Sequence, residues 1–522
     1  DLAGGQIFFE LTEETDTYFV MNLGRYILEN GFPHVDPFTI HENLQLVVQQ
    51  WLSGVFFWEA YKNFGVNGLL IIDVIIGTAL VLIHWRLCMF VSGNKDLSFV
   101  LSFVVGLLVM PKIVPRPQIF SVLLLLVEVF CLEKFTHTKN FKFLLPLPLI
   151  SIALINFHAA IWLMSFVVCL PFLFVKSKRH AKILLTAMIG ILLGGLINPY
   201  GVDAMTYVFR SYGVDLINTN VPEMFTPTAH EMFGKAFYLF EALLIISLAK
   251  FKVPWRYIFL SGGITFMTIM HERNFILFYF LATFPIAYAW RNFNPPRFFA
   301  GGGSLLPMFF LLVLINTATI TSLLKNDFEK LSLPLQILLV EAIFVMLYNL
   351  LVAKVGGRLL HPTILPRKVL SLFVTAMFVV GIFLTTINYD KEIEGDFTAA
   401  MKFLLKSERP ENISLYAAQG YGGMAGMFGV KYYIDSRSEV FLPENNGQKN
   451  ILAEYLAFNN GKLNYKDFFA RYDFTHIFIT NAQPFIFDEL SADKNFRVIY
   501  ESERVEGYNV VRCKVFVPKN EE

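Results

Sequence analysis

Long apolar runs alternate with short polar segments along most of this chain, and the runs have membrane-crossing length. Stretches such as NGLLIIDVIIGTALVLIHW and SLLPMFFLLVLINTATITSLL approach or exceed the roughly 18 to 20 residues that a helix needs to cross a bilayer. The pattern predicts a polytopic α-helical membrane protein with about twelve spans. The predicted spans are 66–91, 97–112, 118–133, 141–157, 159–175, 182–198, 236–250, 255–271, 274–290, 304–324, 333–353 and 368–388. The chain is therefore divided into a first loop (1–65), a membrane domain (66–388) and a polar tail (389–522).

Composition supports this class. The chain has 522 residues, of which 55% are hydrophobic and 16% charged, whereas about a quarter of a soluble domain is charged. A net charge of +1 without a Lys/Arg block gives no indication of a nucleic-acid partner. Cys88, Cys131 and Cys169 lie in apolar runs and Cys513 stands alone, so no disulfide framework is predicted. Because the segment from Asp1 is too polar and short to span, we expect a missing first span or a signal sequence upstream of it.

The distribution of Lys and Arg predicts the orientation. If residues 1–65 face outside, the inner loops are SGNKD, EKFTHTKNFK, KSKRHAK, KFKVPWR, RNFNPPRFF and AKVGGRLLHPTILPRK. These loops hold about seventeen Lys and Arg against about seven in the outer loops, as the positive-inside rule requires. The first loop and the tail are therefore predicted to be extracytoplasmic.

The tail has the pattern of a small α/β domain. ISLYAA, VKYYIDS and THIFIT read as strands, and NFRVIYESERVEGYNVVRCKVFV reads as a closing hairpin. GYGGMAGMFG lacks the GxGxxG spacing of a phosphate-binding loop, so we interpret it as a turn or short helix with tight backbone packing.

Unusual polar side chains collect on the predicted outer side. They are Asp16, Asp36 and Glu42 in the first loop, Arg116 and Gln118 in PRPQ, His158, Glu223 in the long loop 199–235, and His271, Glu272 and Arg273 in HERN. This convergence predicts a site at the outer membrane surface. The acids within predicted spans, Asp73, Glu128, Glu241 and Glu341, are interpreted as contacts between helices rather than as a transport path.

Two arginines and one acid carry the candidate chemistry. Arg116 and Arg273 suit an anionic head group, since a guanidinium can bind two phosphate oxygens; each alone could also extend toward lipid phosphates. Asp16 could accept a proton from a hydroxyl or help to hold a divalent cation. Its alternative role is a helix N-cap, because it precedes the amphipathic run YFVMNLGRYILEN. The histidines show no HExxH-type spacing, so no metal ligands are assigned.

The outer segments resemble those of a known enzyme superfamily. DTYFVMNLGRYILENGFPHVDPFTIHENLQLVVQQWL is similar to the first extracytoplasmic loop of bacterial GT-C superfamily glycosyltransferases. Further landmarks follow in the family's order, and the tail stretch resembles the "WGGYL…VFIDGR" segment of uncharacterised members. These landmarks are RPQIFS (116–121), INFHAA (155–160), LINPYG (196–201), VPEM (221–224), HERNFILFYFLATFPIAYA and GYGGMAGMFGVKYYIDSRSEVF.

The resemblance implies a GT-C-like fold and a glycosyltransferase of the bacterial cytoplasmic membrane. Such enzymes transfer a sugar, with inversion expected, from a polyprenyl-phosphate donor to an envelope glycan, glycolipid or protein at the outer face. Asp16 matches the family's first-loop acid, and a divalent cation, Mg²⁺ or Mn²⁺, is the cofactor left open. Positions implied to bind phosphate and sugar are Arg116, Gln118, His158 and Arg273, with Asp36, Glu42, Glu223, His271 and Glu272 as further substrate-binding candidates.

One departure keeps other hypotheses open. Where the family often has His-Glu before Trp-Leu, this chain has Gln49 and Gln50, which cannot act as base or strong metal ligand. A non-catalytic member is one alternative. A transporter or flippase of lipid-linked glycans, which would depend on Asp73 or Glu341, is another, and a polymerase or ligase using pyrophosphate-linked donors is a third.

Overall fold

A computed structural model describes residues 15–174, 177–211, 213–230, 232–292, 396–506 and 509–519. The described residues up to Arg291 and from Asp396 onward belong to one compact unit. Three predicted spans, 304–324, 333–353 and 368–388, lie outside the described residues, as does Glu341.

Most of the described chain before residue 292 is helical. The helices are α1 (Thr15–Asn30), α2 (Trp51–Phe64), α3 (Val66–Ser92), α4 (Lys95–Val109), α5 (Gln118–Thr138), α6 (Pro146–His158), α7 (Leu163–Cys169), α8 (Lys178–Gly195), α9 (Val202–Ser211), α10 (Asp215–Asn220), α11 (Met232–Lys250), α12 (Trp255–Met270), α13 (Phe275–Leu277) and α14 (Phe284–Ala289). Short 3₁₀ turns occupy Met110–Lys112, Phe141–Leu144, Ala159–Ile161, Leu170–Leu173, Pro222–Met224 and Glu272–Asn274, and a π-helical turn, Phe278–Ala282, separates α13 from α14.

Each predicted span up to residue 290 coincides with one or more of these helices, but the number of spans is not confirmed. Among the described residues, two helical stretches are both long and apolar enough to cross a bilayer, Val66–Ser92 and Phe141–Ile161. Several helices leave large apolar side chains exposed, as helices surrounded by lipid do. Examples are Ile71, Ile75 and Leu82 on α3, Ile189 and Leu193 on α8, and Leu239, Ile245 and Ile246 on α11.

Two of the acids in predicted spans contact neighbouring helices, as expected. Glu128 on α5 is fully buried and accepts a hydrogen bond from the Ser165 hydroxyl on α7 at 2.7 Å. Glu241 on α11 accepts one from the Thr265 hydroxyl on α12 at 2.9 Å. These bonds satisfy polar groups between packed helices, so they favour a structural role for both acids.

The first loop is anchored by a close crossing of α1 and α2. A Cβ at Gly24 would lie 2.1 Å from the backbone carbon of Gly54, and one at Gly54 would lie 2.6 Å from the Val20 carbonyl oxygen. Only glycine at both positions permits this contact. The amphipathic run predicted after Asp16 thus becomes a helix buried along most of its length.

The tail is a mixed five-stranded sheet covered by short helices. The strands are β1 (Ser414–Tyr416), β2 (Lys431–Tyr432), β3 (His476–Thr480), β4 (Phe496–Glu506) and β5 (Asn509–Pro518), and the helices are α15 (Asp396–Leu404), α16 (Gln419–Met427), α17 (Pro443–Asn446), α18 (Ile451–Asn459), α19 (Tyr465–Phe469) and α20 (Pro484–Ala492). The strand order is β2-β1-β3-β5-β4; the first three are parallel, and β5 and β4 pair antiparallel. The predicted α/β tail and its closing hairpin are both present.

The glycine-rich segment of the tail packs directly on α1. GYGGMAGMFG forms α16, in which a Cβ at Gly423 would lie 3.0 Å from the Phe19 nitrogen and one at Gly426 would lie 2.6 Å from the Asn22 side chain. Arg25 donates to the carbonyls of Gly426 (3.0 Å) and Met427 (3.1 Å) at the end of α16. The interpretation of these glycines as close-packing positions is therefore consistent with the structure.

A second contact between first loop and tail is a buried cluster around Arg437. Its guanidinium binds Asp36 at 2.7 Å and Asp435 at 2.7 Å, and the Tyr432 hydroxyl donates to Asp435 at 2.6 Å. Asp36 also accepts from the backbone N–H of Phe38 and Thr39. The Asp36 carboxylate, which the sequence placed among the substrate-binding candidates, is thus occupied in holding the first loop to the tail.

Candidate active site

The candidate site lies at the N-terminal ends of α1 and α5, which are next to each other. The buried Thr17 hydroxyl donates to the Pro115 carbonyl at 3.0 Å, which fixes the first turn of α1 against the PRPQ segment. Pro117 precedes α5, and proline suits this position because a helix's first N–H groups need no partner within it. Asp16 and Arg116 are thereby held as neighbours, although they are far apart in sequence.

Arg116 lies between two carboxylates. Its Nη2 is 3.1 Å from Oδ2 of Asp16, and its Nη1 donates to Oε1 of Glu223 in the long outer loop. Both contacts are partly shielded, since the Arg116 side chain is 18% exposed. An arginine paired in this way positions its two acids, and less of its charge is left for a phosphate.

The two acids differ in proton affinity. Burial raises the pKa of Asp16 above its ordinary value, although Arg116 and a hydrogen bond from the Ser436 hydroxyl oppose the shift. Burial also disfavours the charge of Glu223, but Arg116 outweighs it and holds the pKa of Glu223 below its ordinary value. Environments that move two carboxyl pKa values apart give them different roles. Glu223 is the counterion of Arg116, and Asp16 is the better proton acceptor.

Beside this ion pair lies a narrow pocket with a cavity volume of about 20 Å³, partly open to the surroundings. Its polar lining comes from Gln118 at the start of α5, His158 at the end of α6, and Arg273 with Asn274 after α12. His158 Nδ1 is hydrogen-bonded to the Ser121 hydroxyl at 2.9 Å, which fixes the ring. Three of the residues selected from the sequence thus line one pocket.

The HERN segment is held by the segment that carries Glu223. His271 Nδ1 donates to the Met224 carbonyl at 2.7 Å, and the Glu272 N–H donates to the Phe225 carbonyl at 3.0 Å. These bonds make His271 and the Glu272 backbone supports for the neighbouring Arg273. The sequence had proposed both residues as substrate-binding.

Arg273 has a different environment from Arg116. It is half-buried, and its one hydrogen-bond contact among the described residues is a weak one, to the Met224 sulfur at 3.7 Å. No ion pair joins it to a carboxylate in the part of the chain that the structure describes. A half-buried guanidinium in a pocket is suited to bind an anionic group of a ligand.

The tail contributes groups that the sequence analysis did not select. Ser436 donates to Asp16, and the partly buried Glu439 interacts electrostatically with Arg273, Arg437 and Asp16. Burial raises the pKa of Glu439 above its ordinary value. The signal was present, since both residues lie in the IDSRSEVF stretch that carries the family resemblance. No spacing rule connects that stretch with Asp16, however.

Glu42 and Gln49, which the sequence analysis had discussed, lie outside the Arg273 pocket. Glu42 is exposed, and its backbone carbonyl accepts from the Gln448 side chain at 2.9 Å, so its contact is with the tail. Gln49 is buried; its carbonyl accepts from the Ala159 N–H at 2.7 Å, and its side chain bonds the Tyr207 hydroxyl. At the position where this chain departs from the family pattern, the buried Gln49 therefore packs as a neutral amide next to the segment that carries His158.

The described residues contain no group of three or more His, Cys, Asp or Glu side chains with the geometry of a metal site. Around Arg116 the two acids are bound to its guanidinium, which competes with a cation for the same oxygens. A divalent cation at this site stays a prediction, without assigned ligands.

The chain was compared with family models, curated proteins and solved structures. No protein-family model and no curated protein match the sequence. Among solved structures, the chain is similar to the crystal structure of the Archaeoglobus fulgidus oligosaccharyltransferase in its apo form, with 12% identity and a TM-score of 0.44. The match covers 89% of this chain and 65% of the archaeal chain, so it spans less than two thirds of that protein. At these values the function has to be argued from the residues of the site.

Proposed function

We propose that this chain is a membrane-embedded glycosyltransferase that transfers a sugar from a polyprenyl-phosphate donor to an acceptor at the outer face of the bacterial cytoplasmic membrane. The observation that carries the proposal is the pocket of Gln118, His158 and Arg273 next to the Asp16–Arg116 pair. Arg273 is half-buried and forms no close ion pair with a carboxylate among the described residues, and it lies near Asp16, whose pKa is raised by burial. Transfer of a group from a phosphate to a hydroxyl needs both.

The polar side chains that line the pocket have the chemistry to bind a phosphate-linked sugar. Arg273 offers a forked set of N–H donors to phosphate oxygens, while Gln118 and His158 offer hydrogen bonds to the sugar. The exposed apolar side chains of the helices suit a bilayer, and a bilayer is where a polyprenyl chain is soluble. The donor's head would then lie at the end of the helices, with its lipid tail along them.

In the reaction that we propose, the acceptor oxygen attacks the anomeric carbon of the donor. The bond between that carbon and the phosphate oxygen breaks, and the guanidinium of Arg273 stabilises the negative charge of the leaving phosphate. The acceptor's proton passes to Asp16, whose raised pKa makes it a stronger base than an ordinary aspartate. Attack opposite to the leaving group inverts the anomeric configuration.

The test separates phosphate binding from transfer. In nanodiscs, Arg273→Ala should weaken the binding of polyprenyl phosphate by about 10- to 150-fold, because a hydrogen bond to a charged group contributes about 1.5 to 3 kcal/mol. Arg291→Ala is the matched control, since it removes the same charge after α14, on the other side of the π-helical turn. Equal effects of the two changes would refute a phosphate site at Arg273.

Asp16→Asn tests the base. Transfer from a panel of polyprenyl-phosphate hexoses and pentoses should fall by about 10²- to 10⁴-fold, the usual contribution of a general base, while polyprenyl phosphate still binds. Transfer at the wild-type rate would show that Asp16 is not the proton acceptor.

A further inference from the structure

A second cavity lies on the face of α6 opposite the Arg273 pocket. It is a groove of about 660 Å³, widely open to the surroundings, between the start of α2, one face of α6 and the segment that follows α8. Sites for small ligands in proteins have volumes of about 300 to 1,000 Å³. The groove has this size, and the proposed reaction gives it no role.

The floor of the groove is a single stripe of α6. Leu149, Ile152, Ala153 and Asn156 all line it, and their spacing places them on one face of the helix. His158 follows Leu149 by nine residues, which is about two and a half helical turns, so it belongs to the opposite face. On that face it lines the Arg273 pocket. One helix therefore separates the groove from the proposed phosphate site.

The polar side chains in the lining of the groove are engaged within the protein. Trp51 Nε1 donates to Asn156 Oδ1 at 2.7 Å, and the Asn156 amide donates to two backbone carbonyls, one of them that of Ile197 at 2.8 Å. The Asn198 amide also donates to two backbone carbonyls, and its oxygen accepts from the Tyr200 N–H at 2.8 Å. What the groove offers to a ligand is apolar surface, which binds hydrocarbon.

The open side of the groove has the character of a lipid-facing surface. Its α6 stripe belongs to Phe141–Ile161, one of the stretches long and apolar enough to cross a bilayer. At its edges, Leu149 is 68% exposed and Ile197 is 59% exposed. A ligand that enters from this side comes from the bilayer, so the expected occupant is a hydrocarbon chain of a lipid.

One end of the groove reaches the candidate active site. Trp51 and Phe32 line this end, and their ring centroids are 5.2 Å apart. Phe157 also lines it and is followed directly by His158 in the wall of the Arg273 pocket. A lipid whose chain lies along the stripe can therefore place its head group at the end of α6, next to that pocket.

We propose that this groove binds a hydrocarbon chain of the acceptor, and that the acceptor is a glycolipid. The inference deepens the proposed function and rests on it for the role of the head group. With the donor's phosphate at Arg273, the two lipids would lie on opposite sides of α6, and their head groups would meet at its end. The groove thus specifies a lipid acceptor in place of a soluble glycan or a protein.

Photochemical cross-linking without donor tests the occupant. The full chain is placed in phosphatidylcholine nanodiscs with one of three probes that carry a diazirine in a hydrocarbon chain: glucosyl diacylglycerol, phosphatidylcholine or polyprenyl phosphate. Mass spectrometry then locates the labelled residues. The glucolipid should label 149–157 and 196–199 about tenfold more than phosphatidylcholine does, the ratio that about one hydrogen-bonded head-group hydroxyl supplies.

Filling the groove should exclude the chain. Ala153→Trp should lower glucolipid labelling at 196–199 by about tenfold, the loss expected when about two CH₂ groups lose their burial. Ala242→Trp is the matched control, because it makes the same change at an exposed alanine of α11, between the exposed Leu239 and Ile245. Thermal denaturation shows whether each variant is folded. If the tryptophan variant unfolds, the smaller change Ala153→Leu should still lower labelling severalfold.

Three results would overturn the proposal. Equal labelling by the glucolipid and phosphatidylcholine would show that ordinary bilayer lipid fills the groove. Stronger labelling by polyprenyl phosphate than by the glucolipid would assign the groove to the donor's chain. Unchanged glucolipid labelling in a folded Ala153 variant would show that the chain does not lie on the α6 stripe.

Failure of the groove and failure of the proposed function can be told apart. If the glucolipid labels the groove and Ala153→Trp prevents it, but no polyprenyl-phosphate sugar is consumed, the lipid site stands and the transferase proposal fails. If sugar is transferred equally well to a water-soluble glucoside, and Ala153→Trp leaves the KM for the glucolipid unchanged, the transferase stands and the acceptor groove fails.

Discussion

Replacing Arg437 by methionine should release the first loop from the tail. The substitution keeps much of the side chain's length and removes the charge that Asp36 and Asp435 share. The side chains of both acids are 0% exposed and that of Arg437 is 4% exposed, so water cannot replace the lost partner. Removing one member of a buried ion pair costs about 3 to 5 kcal/mol, because the remaining charge stays buried.

The local contacts place the expected value at the lower end of that range. Asp36 keeps the two backbone N–H donors of Phe38 and Thr39, and Asp435 keeps the Tyr432 hydroxyl. We therefore expect the free energy of local opening to fall by about 3 kcal/mol, which makes the opening equilibrium about 100-fold more favourable.

Hydrogen exchange followed by mass spectrometry in nanodiscs measures this opening directly. Amide exchange in 34–41 and 431–441 should rise together by about 100-fold in the Arg437→Met variant. Arg512→Met is the control, because its pair with Glu503 has a similar N–O distance, 2.9 Å, but both side chains are more than half exposed. An exposed pair contributes about 0 to 1 kcal/mol, so exchange there should change little.

A double substitution sharpens the test. Asp36→Asn combined with Arg437→Met should recover part of the lost protection, because one of the unpaired buried charges has also been removed. The reasoning is refuted if Arg437→Met raises exchange less than about fivefold, or if only the tail segment responds and the first loop stays protected.

Two further predictions concern the same first loop. Gly24→Ala should lower the free energy of unfolding, measured by thermal denaturation, by about 1 to 3 kcal/mol or more, because its Cβ would lie 2.1 Å from the Gly54 backbone. Gly262→Ala is the control: a Cβ there meets nothing within 4 Å, so this variant should be neutral or stabilising. Burial lowers the pKa of His41 to about 4, and its Nε2 donates to the Tyr433 carbonyl at 2.8 Å. The folded state therefore favours the neutral ring. The contribution of His41 to the free energy of unfolding should be fully present above pH 6.5 and should fall by about 3 kcal/mol as the pH decreases to 4. In pH-dependent unfolding, His41→Gln should flatten this slope, and an unchanged slope would contradict the prediction.

The sequence was informative wherever one local property decides the structure. Apolar runs predicted where the helices lie, because burial in protein or lipid needs a continuous apolar surface, and alternating residues predicted strands such as THIFIT. The resemblance at PRPQ, NFH and HERN selected Gln118, His158 and Arg273, which the structure places in one pocket. Their roles in binding stay predictions, as do the number of spans and the orientation.

What the sequence could not provide are pairings between distant segments. Asp36 was selected for its charge, yet its charge is used by Arg437, 401 positions later. Arg116 and Arg273 read alike in sequence, and only the structure separates the arginine held by two acids from the one that faces a pocket. Ser436 and Glu439 were missed for the same reason, since no periodicity or spacing relates them to Asp16.

The contact between Arg25 and the end of α16 has a consequence for how the protein is made. The donor and the Gly426 carbonyl are 401 residues apart, so at about 5 to 20 residues per second the ribosome delivers the second partner roughly 20 to 80 seconds after the first. Throughout that time α1 exists without the helix that covers Asn22 and Phe19. A nascent chain therefore cannot complete the surroundings of Asp16 until α16 has been synthesised and has docked. Chains interrupted before α16 should leave that face of α1 exposed and should be cleaved by proteases more readily than the full chain.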